Sequence, residues 1–139
     1  MAKTVADVMT KNPVAMSADS SVVEAAKAMS DFRIGSVVVM EKDKPCGIVT
    51  DRDIAVKAVA TGGDPSTTSL ADICSRELAA VRPDQSVDDA AKVMKSHDVK
   101  RVLVMTDGKL EGIVSLGDLT SRGMGEDVQD DLSKAEPNN

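Results

Sequence analysis

Apolar and polar positions recur along this chain at two scales. At short range, Val22, Ala25, Ala26 and Met29 fall at i, i+3, i+4 and i+7 behind Ser21-Val22-Val23-Glu24, and Val87, Ala90, Ala91 and Met94 do the same behind Ser86. That spacing predicts two amphipathic helices, each opened by a capping serine. Each helix is followed by an apolar run, Val37-Val38-Val39-Met40 or Val102-Leu103-Val104-Met105. The runs are rich in β-branched residues and lack alternation, as in strands covered on both faces. A charged turn comes next. In the second case it holds Asp107-Gly108, a hairpin signal that predicts antiparallel pairing with Gly112-Ile113-Val114.

At long range the pattern copies itself. With an offset of 65 and no gaps, residues 5–54 match residues 70–119 at 18 of 50 positions, which identifies an internal duplication. The repeats are read as 5–60 and 70–122, joined by a short polar linker, 61–69, and followed by an acidic tail, 123–139, expected to be mostly disordered. Each repeat opens with a short apolar and acidic stretch, 5–9 or 70–74, and a brief extended piece near 13–16 or 78–82. The fold class expected is mixed α/β (α+β), two β-α-β-β-α repeats packed as a pseudo-two-fold pair, because each alone is small for an independent core.

The residues with the most chemistry close each copy: Gly47-Ile48-Val49-Thr50-Asp51-Arg52-Asp53 and Gly112-Ile113-Val114-Ser115-Leu116-Gly117-Asp118. In both, a strand ends in a hydroxyl and a carboxylate follows three positions on, where a helix starts. Free N–H groups and the helix dipole at such a point favour an anion such as phosphate. The same spacing is also that of a capping box that satisfies backbone donors and does nothing else. Both readings stand at this level.

The duplicated β-α-β-β-α pattern, with Gly-apolar-x-(Thr/Ser)-x-x-Asp ending both copies, resembles a tandem pair of cystathionine-β-synthase (CBS) domains, or Bateman module, over about residues 5–122. The resemblance implies a non-catalytic regulatory module of the stand-alone bacterial type, an energy or stress sensor binding AMP, ADP, ATP or S-adenosylmethionine in clefts between the repeats. It implies that Asp53 and Asp118 accept the ribose hydroxyls and that Thr50 and Ser115 donate to phosphate. Adenine would then lie against the first extended pieces, near Val14 to Met16 and Ala80 to Arg82. Lys100 and Arg101 sit where nucleotide-binding members often carry a basic pair, while Arg52, with Arg33 close by, is the first copy's substitute. Two unequal sites follow, the Ser115/Asp118 one better equipped for phosphate. The family also implies a homodimer and a separate protein effector.

Bulk properties narrow the alternatives. The net charge is -6, with a balance of -4 in the tail from Glu126, Asp127, Asp130, Asp131 and Glu136 against Lys134. No basic stripe suits a duplex, and Phe32, the single aromatic residue, offers no stacking platform, so nucleic acid is not expected. No apolar run is long enough to span a bilayer or to form a signal peptide, so a cytoplasmic protein is expected. Cys46, Cys74 and His97 lack metal-site spacing, and two free thiols and no metal or cofactor are expected. His97, aligned with Phe32, and the methionines at 29, 40, 94 and 105 read as packing. With one histidine and no Gly-x-Ser-x-Gly or Walker sequence, an enzyme is not expected, and a nucleotide hydrolase ranks far below the two main readings. Those are a nucleotide sensor and a ligand-free structural or protein-interaction module.

Overall fold

The structure is a computed structural model that describes residues 3–122, so the acidic tail lies outside the described residues. The chain forms α1 (Val5–Val8), β1 (Thr10–Lys11), β2 (Ala15–Ser17), α2 (Val22–Phe32), β3 (Ser36–Glu41), β4 (Lys44–Thr50) and α3 (Asp51–Asp53), which runs into a π-helix, Ile54–Val59. Then come α4 (Leu70–Ile73), β5 (Ala80–Val81), α5 (Val87–His97), β6 (Arg101–Thr106), β7 (Lys109–Ser115) and α6 (Leu116–Arg122). They gather into two compact units, one of residues 14–78, the other of residues 3–13 and 79–122.

In the 14–78 unit, the strands run in the order β2-β3-β4, with β2 parallel and β4 antiparallel to β3. The apolar run of β3 is fully inside, with Val37, Val38 and Val39 at 1%, 0% and 0% exposure. Against Val37 and Val39 pack Val22, Ala25 and Met29 of α2, Ala58 of the π-helix and Leu70 and Ile73 of α4. Ala26, expected on the buried stripe, is exposed, because only three positions of this helix face the core. Ser21 caps α2 by accepting Glu24 N–H at 3.1 Å.

The other unit repeats this plan and adds a strand, in the order β1-β7-β6-β5. Here the whole predicted stripe, Val87, Ala90, Ala91 and Met94, is buried, packed with Val102, Val104, Val114 and Leu119. Ser86 caps α5 through Asp89 N–H at 3.1 Å. The antiparallel pairing expected of β6 and β7 is present, with Val102 opposite Val114 and Leu103 opposite Ile113. Both hairpins carry a bulge, between Val39 and Met40 and between Val104 and Met105. Met40 and Met105 follow those bulges and are half-buried, in contrast to Met29 and Met94, which lie in the core.

Repeat boundaries and unit boundaries differ. Residues 3–13 open the first repeat yet belong to the unit built on the second, and residues 70–78 make the reverse exchange. The physical reason lies at the edge of each motif strand, whose backbone groups need partners. Thr10 and Lys11 pair antiparallel with Ile113 and Gly112 of β7. Ser75 and Ile48 exchange N–H···O bonds of 3.0 and 2.9 Å on β4. The stretch 61–69, read as a linker, is held inside the first of these units: Val22 N–H donates to Thr68 O at 2.9 Å and Val23 N–H to Pro65 O at 3.1 Å. The chain passes between units at Pro13–Val14 and Leu78–Ala79.

Candidate ligand site

Each motif sits where a buried strand stops and a helix begins, and the local bonds are the same in both. Thr50 N–H donates to Asp53 Oδ2 at 2.9 Å while Asp53 N–H donates to Thr50 Oγ1 at 3.0 Å. Ser115 N–H donates to Asp118 Oδ2 at 2.9 Å and Asp118 N–H to Ser115 Oγ at 3.1 Å. Both pairs are therefore reciprocal capping boxes, and the carboxylates are part-buried with one oxygen each committed to the backbone. The residue just before the first strand of each hairpin holds the turn from the other side: Asp51 N–H bonds Gly35 O at 3.0 Å, and Leu116 N–H bonds Lys100 O at 2.8 Å.

The glycine that opens each motif has a packing cause. A Cβ on Gly47 would lie 2.8 Å from both Cys74 Sγ and Ser75 O, and one on Gly112 would lie 2.6 Å from Met9 Sδ and 2.9 Å from Thr10 O. The exchanged opening segments cross the motif strands too closely for any side chain.

Of the residues singled out in the sequence, Lys100, Arg101, Ser115 and Asp118 come together: Arg101 is the cross-strand partner of Ser115, and Lys100 precedes it. The Nζ of Lys100 is shielded from solvent and has no hydrogen-bond partner among the described residues. It thus departs from the ordinary solvated edge lysine. Thr50, Arg52 and Asp53 come together in the other unit, with Arg52 exposed and Met16 half-buried against that unit's core. Gly35 and Ser36 occupy the positions of the basic pair there.

Lys57 went unnoticed in the sequence. Its Nζ lies 3.3 Å from Asp53 Oδ1 and donates to Ile73 O at 3.4 Å. The Asp-x-x-x-Lys spacing on a helix was the available signal. His97 is exposed, contrary to the packing expected of it; its Nδ1 lies 3.1 Å from Val93 O at the helix end. Cys46 and Cys74 are free and half-buried, and burial followed by the Glu41 carboxylate pushes the Cys46 thiol up. Among the described residues, no group of three or more His, Cys, Asp or Glu is placed to hold a metal, and no helix is long and apolar enough to cross a membrane.

Two β-α-β-β-α repeats, each closing on a hydroxyl–carboxylate strand–helix junction, define a duplicated α+β module. The CBS domain model matches residues 5–59 and 70–125, and the chain belongs to the CBS domain family. It is 35% identical over 120 residues to the CBS domain-containing protein YhcV of Bacillus subtilis, covering 86% of this chain and 85% of that one. It is 30% identical to Hypoxic response protein 1 of Mycobacterium tuberculosis, covering 84% and 82%. The crystal structure of Hypoxic Response Protein I with two coordinated zinc ions superposes with a TM-score of 0.74 at 28% identity, covering 86% of this chain and 98% of that one. A hexameric CBS-CP12 protein from bloom-forming cyanobacteria gives 0.80 at 27% identity, covering 100% and 78%.

Proposed function

We propose that this protein is a non-catalytic regulatory module that binds an adenosine nucleotide, AMP, ADP or ATP, at its hydroxyl–carboxylate junctions and passes occupancy on to a separate protein. The observation that carries this reading is Lys100, whose carbonyl holds the Ser115/Asp118 junction and whose ammonium is shielded from solvent with no hydrogen-bond partner among the described residues. An ammonium held in that way is favoured by an arriving counter-charge. A nucleotide phosphate supplies it, and the adjoining Ser115 hydroxyl and Arg101 suit the same group. Asp118, anchored through Oδ2, keeps its orientation for a ribose diol at Oδ1. Phosphate chemistry favours a nucleotide over S-adenosylmethionine. Binding to one of two conformations more tightly than to the other is what turns occupancy into a signal. The hexameric assembly of the cyanobacterial relative supports a homo-oligomer here too, a homodimer being the simplest.

A second reading, a ligand-free protein-interaction module, draws on the capping boxes, which already give both aspartates a structural role. Lys100→Met separates the two readings. Calorimetric titration with AMP, ADP, ATP and S-adenosylmethionine is expected to show saturable nucleotide binding that Asp118→Ala abolishes at one site. Lys100→Met is expected to weaken it by about ten- to a hundredfold, the worth of a charge-assisted bond. The same Lys100→Met change is expected to raise the melting temperature of the unliganded protein, since it removes an unpaired charge without opening a cavity. Folded protein that gives no heat with any of the four ligands would favour the second reading.

A further inference from the structure

Asp53 is engaged by three groups within its own unit. Oδ2 accepts Thr50 N–H at 2.9 Å, the Asp53 N–H goes to Thr50 Oγ1 at 3.0 Å, and Oδ1 lies 3.3 Å from Lys57 Nζ. The Lys57 ammonium also donates to Ile73 O at 3.4 Å. Ile73 is the last residue of α4, and the two residues after it clamp the motif strand: Ser75 exchanges backbone bonds with Ile48, and Cys74 Sγ fills the space where Gly47 would carry a Cβ. Lys57 thus spans from the carboxylate that closes the first repeat's motif to a helix end supplied by the second repeat. A few residues past that helix end, at Leu78, the chain leaves the unit.

We infer that Lys57 is a positioning residue that couples occupancy of Asp53 to the segment from Ile73 to Leu78. The inference rests on the reading above, in which Asp53 accepts a ligand's hydroxyl groups. A vicinal diol arriving at Asp53 Oδ1 competes with the ammonium for the same lone pairs. The two partners do not yield equally. The Lys57 side chain is 46% exposed and free to turn into water, whereas that of Asp53 is 17% exposed and fixed by its capping box. Displacement therefore falls on Lys57, and the Ile73 carbonyl loses its cation at the C-terminal end of a helix, where positive charge is stabilising. The Cys74 and Ser75 amides, bonded to Leu70 O and Ile48 O, lie immediately downstream of that loss.

The test combines amide hydrogen exchange and calorimetry, with ATP and AMP as probes and Asp118→Ala as the background in which only the first motif is read. Without nucleotide, Lys57→Met is expected to speed exchange at Cys74 and Ser75 about two- to fivefold, the scale of a partly exposed ion pair at i,i+4. Saturating nucleotide is expected to do the same in the Asp118→Ala protein that keeps Lys57 and to add nothing once Lys57→Met is also present. Affinity at the first motif is expected to rise about two- to fivefold in Lys57→Met, because its competitor is gone, and to return towards the wild-type value in Lys57→Arg. Nucleotide that binds at Asp53 without altering exchange at these two amides overturns the coupling and leaves the binding reading intact. Folded Asp118→Ala protein that binds neither probe removes the binding reading at this motif, and the coupling falls with it.

Discussion

At Thr50/Asp53 the carboxylate is shared with Lys57, whereas Lys100, whose carbonyl holds the Ser115/Asp118 junction, has an ammonium that is shielded from water and has no hydrogen-bond partner among the described residues. The backbone of the two junctions is nearly interchangeable: the same reciprocal caps, the same carbonyl taken from the residue before the hairpin's first strand, the same glycine under a crossing segment. Duplication has kept what the backbone requires and let the charges drift. One junction satisfies its carboxylate from within; the other holds a cation with no partner among the described residues. Differences in ligand response between the two are therefore expected to follow the lysines and not the Thr/Ser-x-x-Asp residues.

The largest effect is expected from the shared glycines. Gly47→Ala and Gly112→Ala each drive a methyl against a backbone carbonyl, at 2.8 and 2.9 Å, and each is expected to destabilise the protein by about 1–3 kcal/mol in denaturant unfolding. Shortening Met9 to Ala is expected to recover part of the Gly112→Ala loss, since the other close atom there is a flexible side-chain sulfur. Equal stability in Gly47→Ala would show that the crossing segments are looser than the geometry requires.

A smaller difference lies in the hairpin turns. The first has positive φ at Lys42 and Asp43, 52° and 64°, the second at Asp107 and Gly108, 50° and 79°. An L-residue is disfavoured in that region. Asp43→Gly is expected to stabilise the protein by about 0.5–1 kcal/mol, and Gly108→Asp to cost a similar amount, both read from denaturation midpoints.

The smallest expected effect concerns the two opening helices. Thr4 donates its backbone N–H and its hydroxyl to Asp7 Oδ2 at 2.9 and 3.1 Å. Chiefly through the backbone bond, and then the hydroxyl, Thr4 holds the Asp7 carboxyl below its usual range. The folded form thus binds a proton less readily than the unfolded chain. The contribution of this cap is present above the ordinary aspartate value, about 3.9, and is lost as pH falls through the lower folded value. Melting temperatures of Asp7→Asn are accordingly expected to fall less steeply on the acid side than those of the parent. The helix α4 has no side-chain cap at Ser69, so Asp72→Asn serves as the control.

What could be read in advance divides by sequence distance. The caps at Ser21 and Ser86, the α5 stripe, the β6–β7 hairpin and the family itself rest on residues within a few positions of one another, or on the repetition of such local patterns. The exchange of opening segments does not, because Thr10 meets Ile113 and Ser75 meets Ile48, and neither pairing leaves a periodic trace. For the same reason, the purpose of Gly47 and Gly112 was hidden until Cys74 and Met9 were placed over them. At the candidate site, the residue types and their spacing were legible, but the two facts that separate the junctions were not: Lys57 bridging to Ile73, and the Lys100 ammonium hidden from solvent. Side-chain direction decided both.

The exchange also sets an order of events at the ribosome. The unit of residues 14–78 is one continuous stretch and has all its strands once Leu78 has emerged. Residues 3–13 cannot settle so early, since the strand that receives Thr10 is centred about a hundred residues later. At a translation rate of about 5–20 residues per second, that segment waits roughly 5–20 s for its place. A segment made before the 14–78 unit is thus fastened after it.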